Sequence, residues 1–451
     1  MGWHVLGFLF AGLLVSGCGE DTLRPLVDAG HDAGEDAFVD AGLDAGLDGA
    51  DVMLDAGDEG PPCQGLERDV VDLGLLQVEP DWREGELPLC GAHEYSVVLP
   101  LGSRYNLTLR TDLALGQARV TLRKPGDDPQ SFPLAVGTAL APFEPLSLPL
   151  IADRSGEFVL RVQSLDPAAW GAYDLRLSCE SGCELQATRY PIVLVHGWTG
   201  WNNIMSYTYF HGVADNLSEQ GFLVFTASLD PYNSVEIRSD QLAEQIDAFL
   251  LESHSRKLNL IAHSQGGLDS RRVISTLGYA DRVPSLVTVS TPHRGTELCD
   301  VALGYLPGPG QAALSFLLEW LGATATGSES DAMASFEAMS VERVVEEFNP
   351  ANPDIEGVSY VSYAGRTCPL GLTCGDICDI EIQFAYDLLW LLAGANDGIV
   401  PVESAIWGDY RGEIPADHFD EIGQLFGITG PNFNHREFYS MLARDLAQEG
   451  F

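Results

Sequence analysis

From residue 186 onward, short apolar runs alternate with stretches in which apolar residues recur every three or four positions. The apolar runs predict strands at Ile192 to Val195, Leu223 to Thr226, Leu258 to Ala262 and Leu286 to Ser290. The periodic stretches predict helices at Tyr209 to Glu219, Ser239 to Glu252 and Leu268 to Leu277. Strands that alternate with helices are typical of a parallel sheet with helical crossovers, so residues 186–451 are predicted to form one α/β domain.

Residues 63–183 show a different pattern, in which apolar and polar residues alternate over short segments that Gly, Pro and Asp interrupt. Strands are predicted at Glu94 to Leu99, Tyr105 to Arg110, Ala118 to Arg123, Glu157 to Val162 and Tyr173 to Leu177. This pattern predicts a small antiparallel β-sandwich. No residues in it have catalytic spacing, so we interpret the sandwich as a spacer or as a binding domain.

The N-terminal residues 1–17 contain an apolar run, Val5 to Val15, which is too short to span a bilayer and is typical of a signal peptide. Val15-Ser16-Gly17-Cys18 resembles the lipobox of bacterial lipoproteins, in which the cysteine is acylated and becomes the mature N-terminus. We therefore predict export and a lipid anchor on the cell-envelope membrane. Lys and Arg are absent before the apolar run, so an ordinary signal peptide and a secreted protein remain the alternative.

Residues 18–62 repeat Asp-Ala-Gly and contain few residues that a core would bury. We interpret this segment as an extended, disordered linker, because it lacks the fixed period of a calcium-binding β-roll.

The chain of 451 residues carries 24 Lys and Arg against 66 Asp and Glu, a formal charge of −42. This charge repels nucleic acids and anionic lipid surfaces, so nucleic acid is excluded as a partner. Apart from Cys18, eight cysteines remain, clustered in 63–183 and 299–378. In an exported protein they predict disulfides within each cluster, whereas zinc is disfavoured because Cys368, Cys374 and Cys378 lack CxxC spacing.

The first candidate chemistry lies where the strand ending at Ala262 meets His263-Ser264-Gln265-Gly266-Gly267 and a helix. A strand, a sharp turn and a helix around a serine form the nucleophile elbow of α/β-hydrolases, which exposes the hydroxyl at a helix N-terminus. Ala262 replaces the usual first glycine of the motif, a conservative change. An ordinary glycine-rich turn is the alternative reading.

A second loop, His196-Gly197-Trp198, follows the first strand of the domain, where such enzymes place one half of an oxyanion hole. The backbone N–H groups of Trp198 and Gln265 are therefore the predicted oxyanion donors.

A serine nucleophile needs a base and an acid, which in this fold follow it in the order Asp, then His. Asp397, in the turn Asn396-Asp397-Gly398, is the predicted acid, and His418 is the predicted base. His435 is the alternative base, although it is equally typical of the start of a surface helix. His293 lies too close to Ser264 in sequence for the acid to precede it, so we interpret it as a structural loop residue.

Together, these blocks resemble the bacterial family I triacylglycerol lipases, which fold with a dedicated chaperone. The resemblance covers residues 186–450 and rests on Tyr190 to Gly197, His263 to Gly267, Thr291 to Thr296, Asn396 to Gly398 and His418 to Gln424. It implies an α/β-hydrolase fold, with Ser264 as nucleophile, Asp397 as acid, His418 as base, and Trp198 and Gln265 as oxyanion donors. Family members usually have Leu or Met at the Trp198 position, which leaves the acyl-chain length open.

The resemblance also implies a structural calcium ion and a lid. Asp420, Gln424 and the carbonyl of Ile428 match the family's calcium ligands in position, and hard oxygen ligands suit Ca²⁺. The remaining carboxylate is Asp379, with Asp376 and Asp387 as alternatives; helix N-terminal charge is the competing explanation of Asp420. A lid is expected at 301–345, where the apolar stretch Ala312 to Leu321 reads equally well as a core helix.

The sequence thus predicts an ester hydrolase that works through an acyl-enzyme and needs no organic cofactor, most simply a triacylglycerol lipase. A short-chain esterase is the first alternative. A catalytically silent surface protein that binds lipid or polymer is the second.

Overall fold

The computed structural model describes residues 70–451, apart from 77, 79–81, 89–90, 113–114, 129–130, 141–143, 167–168, 199–208, 311, 316–328, 369–373 and 425. The predicted signal peptide, Cys18 and the acidic linker lie outside the described residues. Among the described residues, no helix combines the length and the apolar character needed to cross a membrane.

Residues 70–181 form two β-sheets, and the N-terminal all-β region expected from the sequence is therefore present. Its strands are β1 Val70–Leu75, β2 Arg83–Leu87, β3 Ala92–Leu99, β4 Arg104–Thr111, β5 Ala118–Arg123, β6 Ala135–Ala139, β7 Leu146–Ile151, β8 Gly156–Ser164 and β9 Gly171–Ser181. One sheet has the order β1-β3-β8-β5-β6 and the other has the order β2-β9-β4-β7. The expectation of a wholly antiparallel sandwich was wrong, because β1 pairs with β3 in parallel.

The two sheets bury their facing side chains, as the alternation in the sequence requires. On β4, Tyr105, Leu107 and Leu109 are buried between the sheets, and Phe158 and Leu160 of β8 join the same core. The residues between them point outward.

Residues 192–451 form the α/β domain around a six-stranded parallel sheet. Its strands are β10 Ile192–Val195, β11 Val224–Thr226, β12 Asn259–His263, β13 Ser285–Val289, β14 Ser359–Gly365 and β15 Asp409–Ile414, in the order β11-β10-β12-β13-β14-β15. Its helices are α1 Val213–Glu219, α2 Val235–Glu252, α3 Gln265–Ile274, α4 Glu297–Leu303, α5 Glu329–Ala338, α6 Gln383–Leu392, α7 Val402–Ala405 and α8 His435–Gln448. A π-helical turn, Arg343–Phe348, continues into Asn349–Ala351, and Asp420–Ile422 is a 3₁₀ turn.

The strands are apolar throughout because helices cover both faces of the sheet. Ile192 and Leu194 of β10 pack with α1 and α8, whereas Val193 and Val195 pack on the opposite face with α2 and α3. The predicted α/β-hydrolase fold is therefore confirmed. Ser264 lies at the edge of the sheet formed by the carboxyl ends of the strands.

Cysteines pair inside the two predicted clusters. The structure contains Cys179–Cys183 and Cys368–Cys374 disulfides, and Cys299 and Cys378 are buried thiols.

Of the predicted lid helix Ala312 to Leu321, residues 316–321 lie outside the described residues. The flanking helices α4 and α5 are described, and Phe336 of α5 is buried beside Trp198.

Candidate active site

Ser264 lies at a sharp turn between β12 and α3. Its backbone has φ 57° and ψ −135°, a positive φ that is unusual for a non-glycine residue and stores strain at the turn. Gly266 allows the turn to pack closely, because a Cβ there would lie 2.7 Å from the carbonyl oxygen of His196. The sequence therefore forms a strained elbow that holds the serine hydroxyl at the start of a helix.

A line of hydrogen bonds joins three buried side chains at this turn. His418 Nε2 lies 3.1 Å from Ser264 Oγ, and His418 Nδ1 lies 2.8 Å from Asp397 Oδ2. The backbone N–H of His418 also donates to the carbonyl oxygen of Asp397, at 3.0 Å. This arrangement can draw the proton from the serine hydroxyl and hold the resulting imidazolium beside a carboxylate.

Asp397 is held by the turn that follows α6. Its Oδ1 accepts the backbone N–H groups of Ile399 at 2.8 Å and of Val400 at 2.6 Å. Asp397 thus has two backbone N–H groups and one imidazole as hydrogen-bond partners. The turn therefore leaves Oδ2 free to orient His418.

The two predicted oxyanion residues are brought together beside Ser264. A Cβ at Gly197 would lie 2.5 Å from the Cβ of Ser264, so only glycine permits this approach. The indole N–H of Trp198 donates to Ser335 Oγ at 2.6 Å, and that hydroxyl donates to Gln265 Oε1 at 2.7 Å. Ser335 of α5 thereby ties the two residues together. The N–H of Gln265, the first residue of α3, has no acceptor within the helix.

A second histidine–carboxylate pair, His263 and Glu421, lies next to the pair formed by His418 and Asp397. His263 Nε2 lies 2.7 Å from Glu421 Oε2, and His263 Nδ1 lies 2.7 Å from the hydroxyl of Tyr209. The ring centroids of His263 and His418 are 4.5 Å apart. Burial, together with His418, lowers the pKa of His263 well below the ordinary range, so its ring is neutral.

Glu421 has an electrostatic environment different from that of Asp397. Burial and the neighbouring Asp397 raise the pKa of Glu421 well above the ordinary range. The hydroxyl of Ser290 donates to its Oε1 at 2.6 Å. The charged form of Glu421 is therefore disfavoured.

The other downstream histidines lie away from Ser264. His293 is buried, with Nε2 3.1 Å from the hydroxyl of Thr288 and Nδ1 3.4 Å from a guanidinium nitrogen of Arg271, which agrees with a structural loop residue. His435 begins α8, and its Nε2 donates to the carbonyl of His211 at 2.8 Å. His435 thus begins a helix, as the alternative interpretation expects, and its own side chain is buried.

Three buried carboxylates meet beside the His418 loop. Asp376, Asp417 and Asp420 each offer an oxygen, and these oxygens lie within 4.8 Å of one another. Neither carboxylate oxygen of Asp376 meets a hydrogen-bond donor within the described chain. Burial, and then the charge of Asp376, raise the pKa of Asp420 to about 7. Buried carboxylates without a counter-charge are costly, so this cluster suits a bound cation.

Only one of the four predicted calcium ligands, Asp420, belongs to this cluster of three carboxylates. Asp420 belongs to it, and the structure places Asp376 with it in preference to Asp379. Asp379 lies next to it, with its backbone N–H bonded to Asp417 Oδ2 at 2.9 Å and its own Oδ2 unpaired among the described residues. Gln424 is half-buried, and Ile428 is 70% exposed.

Sequence reasoning missed the roles of Glu421, Ser335 and Asp417. Glu421 follows the predicted base by three residues, but nothing near it in the sequence indicates its contact with His263. Ser335 carries no sequence signal, because it reaches the site from α5. Asp417 caps the turn after His418, accepting the N–H groups of Phe419 and Asp420 on Oδ1 at 3.0 Å each.

The chain is similar to α/β-hydrolases and to bacterial triacylglycerol lipases. Residues 190–352 match the family model described as the alpha/beta hydrolase fold. The triacylglycerol lipase of Vibrio cholerae is 31% identical over 268 residues, which cover 53% of this chain and 82% of that protein. The triacylglycerol lipase of Pseudomonas fragi is 28% identical and covers 58% of this chain and 98% of that protein. That of Burkholderia plantarii is 25% identical, over 62% of this chain and 92% of that protein.

Proposed function

We propose a triacylglycerol lipase mechanism for this chain, which belongs to the family of α/β-hydrolase lipases. The chain is a carboxylic ester hydrolase, and the proposal concerns its substrate and the roles of its residues. The observation that carries it is the continuous line of hydrogen bonds from Asp397 through His418 to Ser264.

In the first half-reaction, Ser264 Oγ attacks the ester carbonyl carbon while its proton passes to His418 Nε2. The carbonyl oxygen becomes an oxyanion, which accepts hydrogen bonds from the backbone N–H groups of Trp198 and Gln265. Each such donor is worth a factor of about 10² to 10³ in rate. Collapse of the tetrahedral intermediate breaks the bond to the alcohol oxygen, which takes the proton from His418 and leaves an acyl-enzyme.

In the second half-reaction, a water molecule gives its proton to His418 Nε2 and attacks the acyl carbon. Collapse then returns the proton to Ser264 Oγ and releases the carboxylic acid. Asp397 holds the ring of His418 through Nδ1 and stabilises its positive charge in both steps.

The test of the nucleophile is labelling by a fluorophosphonate, which forms a phosphonyl ester on an activated serine. We expect stoichiometric labelling of the protein and none of Ser264→Ala. Ser275→Ala, at the other end of α3, is the matched control and should label fully. An unlabelled wild-type protein would favour the silent binding protein over an enzyme.

The substrate class is tested by comparing emulsified long-chain triacylglycerol with soluble p-nitrophenyl acetate. The names of the relatives support the long-chain substrate, and the apolar surroundings of Trp198 and Phe336 are consistent with it. Hydrolysis of the acetate without any hydrolysis of the emulsion would make the protein a short-chain esterase.

The acidic cluster beside the His418 loop is proposed to hold a calcium ion. Asp376 and Asp420 supply the ligand oxygens, because both oxygens of Asp376 lack donors within the described chain, whereas Asp417 already accepts three backbone N–H groups. The ion would neutralise the buried charge and fix the loop between His418 and Asp420. It has no part in the proton transfers.

The proposed address is the cell envelope, through acylation of Cys18. Metabolic labelling with palmitate, lost in Cys18→Ser, tests this anchor against simple secretion. The resemblance to chaperone-dependent lipases also implies a folding partner, and full activity recovered by refolding the chain alone would overturn that implication.

A further inference from the structure

The outer face of the five-stranded sheet carries a row of basic residues. Arg119, Thr121 and Arg123 alternate along β5, and their side chains share one face of the sheet. Thr121 pairs with Arg161 of β8, so Arg161 lies on the same face. This face is not part of the ester-hydrolysing site.

A groove of about 260 Å³ lies over this row. It is lined by five basic side chains, those of Arg119, Arg123, Lys124, Arg161 and Arg256, and by two acidic ones, those of Glu94 and Asp127. The whole chain has 24 basic against 66 acidic residues. The groove therefore reverses the charge balance of the protein locally.

The two acidic side chains are already engaged. Glu94 pairs with Arg161 at 3.4 Å, and Asp127 lies 2.8 Å from Nδ1 of His254. Arg119 and Arg256 have no carboxylate within ion-pair distance among the described residues. Positive charge in the groove therefore remains uncompensated.

The loops that form the groove are fixed to each other across the junction of the two domains. The N–H of Gly126 donates to the carbonyl of His254 at 2.9 Å, next to Arg256. A Cβ at Gly126 would lie 3.0 Å from that backbone, so the contact is close. The groove is a built feature of the junction.

Exposed apolar residues lie beside the groove, on the same face of the sheet. Val136 of β6 pairs with Thr121 of β5, so its side chain lies on the face that carries the arginines. Leu134 precedes Val136 by two residues and lies on the same face, and its backbone N–H donates to the carbonyl of Leu122 in β5. Val136 is 52% exposed, Leu134 is 38% exposed, and the neighbouring Phe132 is 98% exposed. Basic residues beside exposed apolar ones match an anionic amphiphile, with its charge over the arginines and its chains at β6.

We propose that this basic groove docks the protein on an anionic lipid surface, with lipid phosphates over Arg119 and Arg256 and the apolar side chains at the acyl boundary. The global charge does not prevent this, because the Debye length at physiological ionic strength is about 8 Å and distant acids are screened. The net charge alone predicts repulsion from anionic lipid, whereas this face is proposed to attract it.

The groove and the ester site lie at opposite ends of the parallel sheet. Arg256 precedes β12 and Ser264 follows it, and a five-residue strand spans about 17 Å. A protein docked through the groove would direct Ser264 away from the membrane that holds it. Docking is thus independent of ester hydrolysis and separates the anchoring surface from the substrate surface.

The experiment uses the full chain with Cys18→Ser and Ser264→Ala, so that neither an acyl anchor nor hydrolysis contributes. Co-sedimentation is measured with vesicles of phosphatidylcholine alone and of phosphatidylcholine with phosphatidylglycerol. We expect partition onto the anionic vesicles to be at least about 10-fold stronger and to fall in high salt. Arg119→Glu and Arg256→Glu should each lower it by about 5-fold or more.

Arg104→Glu is the matched control, because Arg104 is exposed on β4 in the other sheet and changes net charge equally. It should bind within about twofold of the parent, whereas an equal loss would attribute binding to net charge and overturn the proposal. Equal partition onto both vesicle types would also overturn it. So would retention by heparin without vesicle binding, which would make the partner a soluble polyanion. With Ser264 restored, the groove variants should keep the wild-type rate on p-nitrophenyl acetate, which shows that they are folded.

Discussion

Two histidine–carboxylate pairs lie side by side in this protein, and only one of them contacts Ser264. His418 and Asp397 are 2.8 Å apart, His263 and Glu421 are 2.7 Å apart, and all four residues are buried. The difference is the partner of the second ring nitrogen. In His418 it faces the hydroxyl of Ser264, whereas in His263 it faces the phenol of Tyr209. A buried pair can therefore become reactive only through the group that the second ring nitrogen of its histidine contacts.

The carboxyl groups of the two pairs also have different surroundings. Asp397 accepts two backbone N–H groups, whereas Glu421 accepts the hydroxyl of Ser290. Burial and the neighbouring Asp397 raise the pKa of Glu421 well above its ordinary range, so the charged form of Glu421 is disfavoured.

Substitution of each histidine in turn should give the largest difference in kcat between the two pairs. His418→Asn removes the base, and we expect kcat on p-nitrophenyl butyrate to fall by about 10⁵-fold. His263→Asn leaves Ser264 and His418 in contact, and kcat should stay within about 10-fold of wild type. Thermal unfolding of both variants controls for loss of the fold. Equal losses of kcat in two folded variants would mean that both imidazoles take part in the proton transfer.

Substitution of the two carboxyl groups should give a difference in kcat that is almost as large. Asp397→Asn removes the charge that orients His418, and kcat should fall by about 10⁴-fold. Glu421→Gln replaces a carboxyl group whose charged form is disfavoured by a neutral amide of the same shape, so kcat should change by less than about 10-fold. A larger loss in Glu421→Gln than in Asp397→Asn would reverse the roles of the two carboxyl groups.

The same pair of variants has a pH signature. Because the pKa of Glu421 is raised on folding, its contribution to stability is full below the ordinary carboxyl pKa and is lost as pH rises through the raised value. The wild-type Tm should therefore fall toward alkaline pH more steeply than that of Glu421→Gln. Parallel curves would contradict the raised pKa of Glu421.

The close approach of Gly197 to Ser264 gives the next largest effect. In Gly197→Ala the new Cβ would lie 2.5 Å from the Cβ of Ser264 and displace the oxyanion loop. We expect kcat to fall by about 10² to 10³-fold, the cost of losing one oxyanion donor. Gly278→Ala adds a methyl group in open space at an exposed glycine with φ 76°, so it is a control for a strained alanine away from the site. Unchanged kcat in Gly197→Ala would place the oxyanion donors elsewhere.

Removal of the proposed calcium ion should destabilise both pairs indirectly, because Asp420 lies between His418 and Glu421 in the chain. Chelation at pH 8 should lower Tm by about 5 °C or more, since an ion at 100 times its Kd stabilises by about 2.7 kcal/mol. With the pKa of Asp420 raised to about 7, the ion-free fold is most stable when protonated at low pH and loses stability as pH rises through about 7.

The effect of chelation should therefore be smaller at pH 5.5 than at pH 8. Asp376→Asn should abolish it, and Asp379→Asn should leave it in place. The opposite result for these two variants would restore Asp379 as the ligand.

The residues around Ser264 illustrate what local sequence can predict. The elbow was predictable because a strand, a small residue, a serine and two glycines occupy adjacent positions, and the strained turn needs that order. The alternation of β4 and β8 predicted buried sandwich strands in the same way. β1, β2, β6 and β7 were missed, because edge strands bury little and their patterns are weak.

The long-range contacts were not predictable in this way. Nothing near Ser335 marks a residue that joins Trp198 to Gln265, and nothing near Asp376 shows that it meets Asp420 in preference to Asp379. The choice between His418 and His435 also depended on which loop reaches the end of β12.

The sequence by itself determined the strands with strong apolar patterns, the elbow and the class of chemistry, since each depends on neighbours within a few residues. Only the tertiary structure decided which of the two buried histidine–carboxylate pairs faces Ser264 and which faces Tyr209. The physical reason is that burial, charge and hydrogen-bond partners come from residues up to 158 positions apart, as between His263 and Glu421. Their distances exist only once the chain has packed.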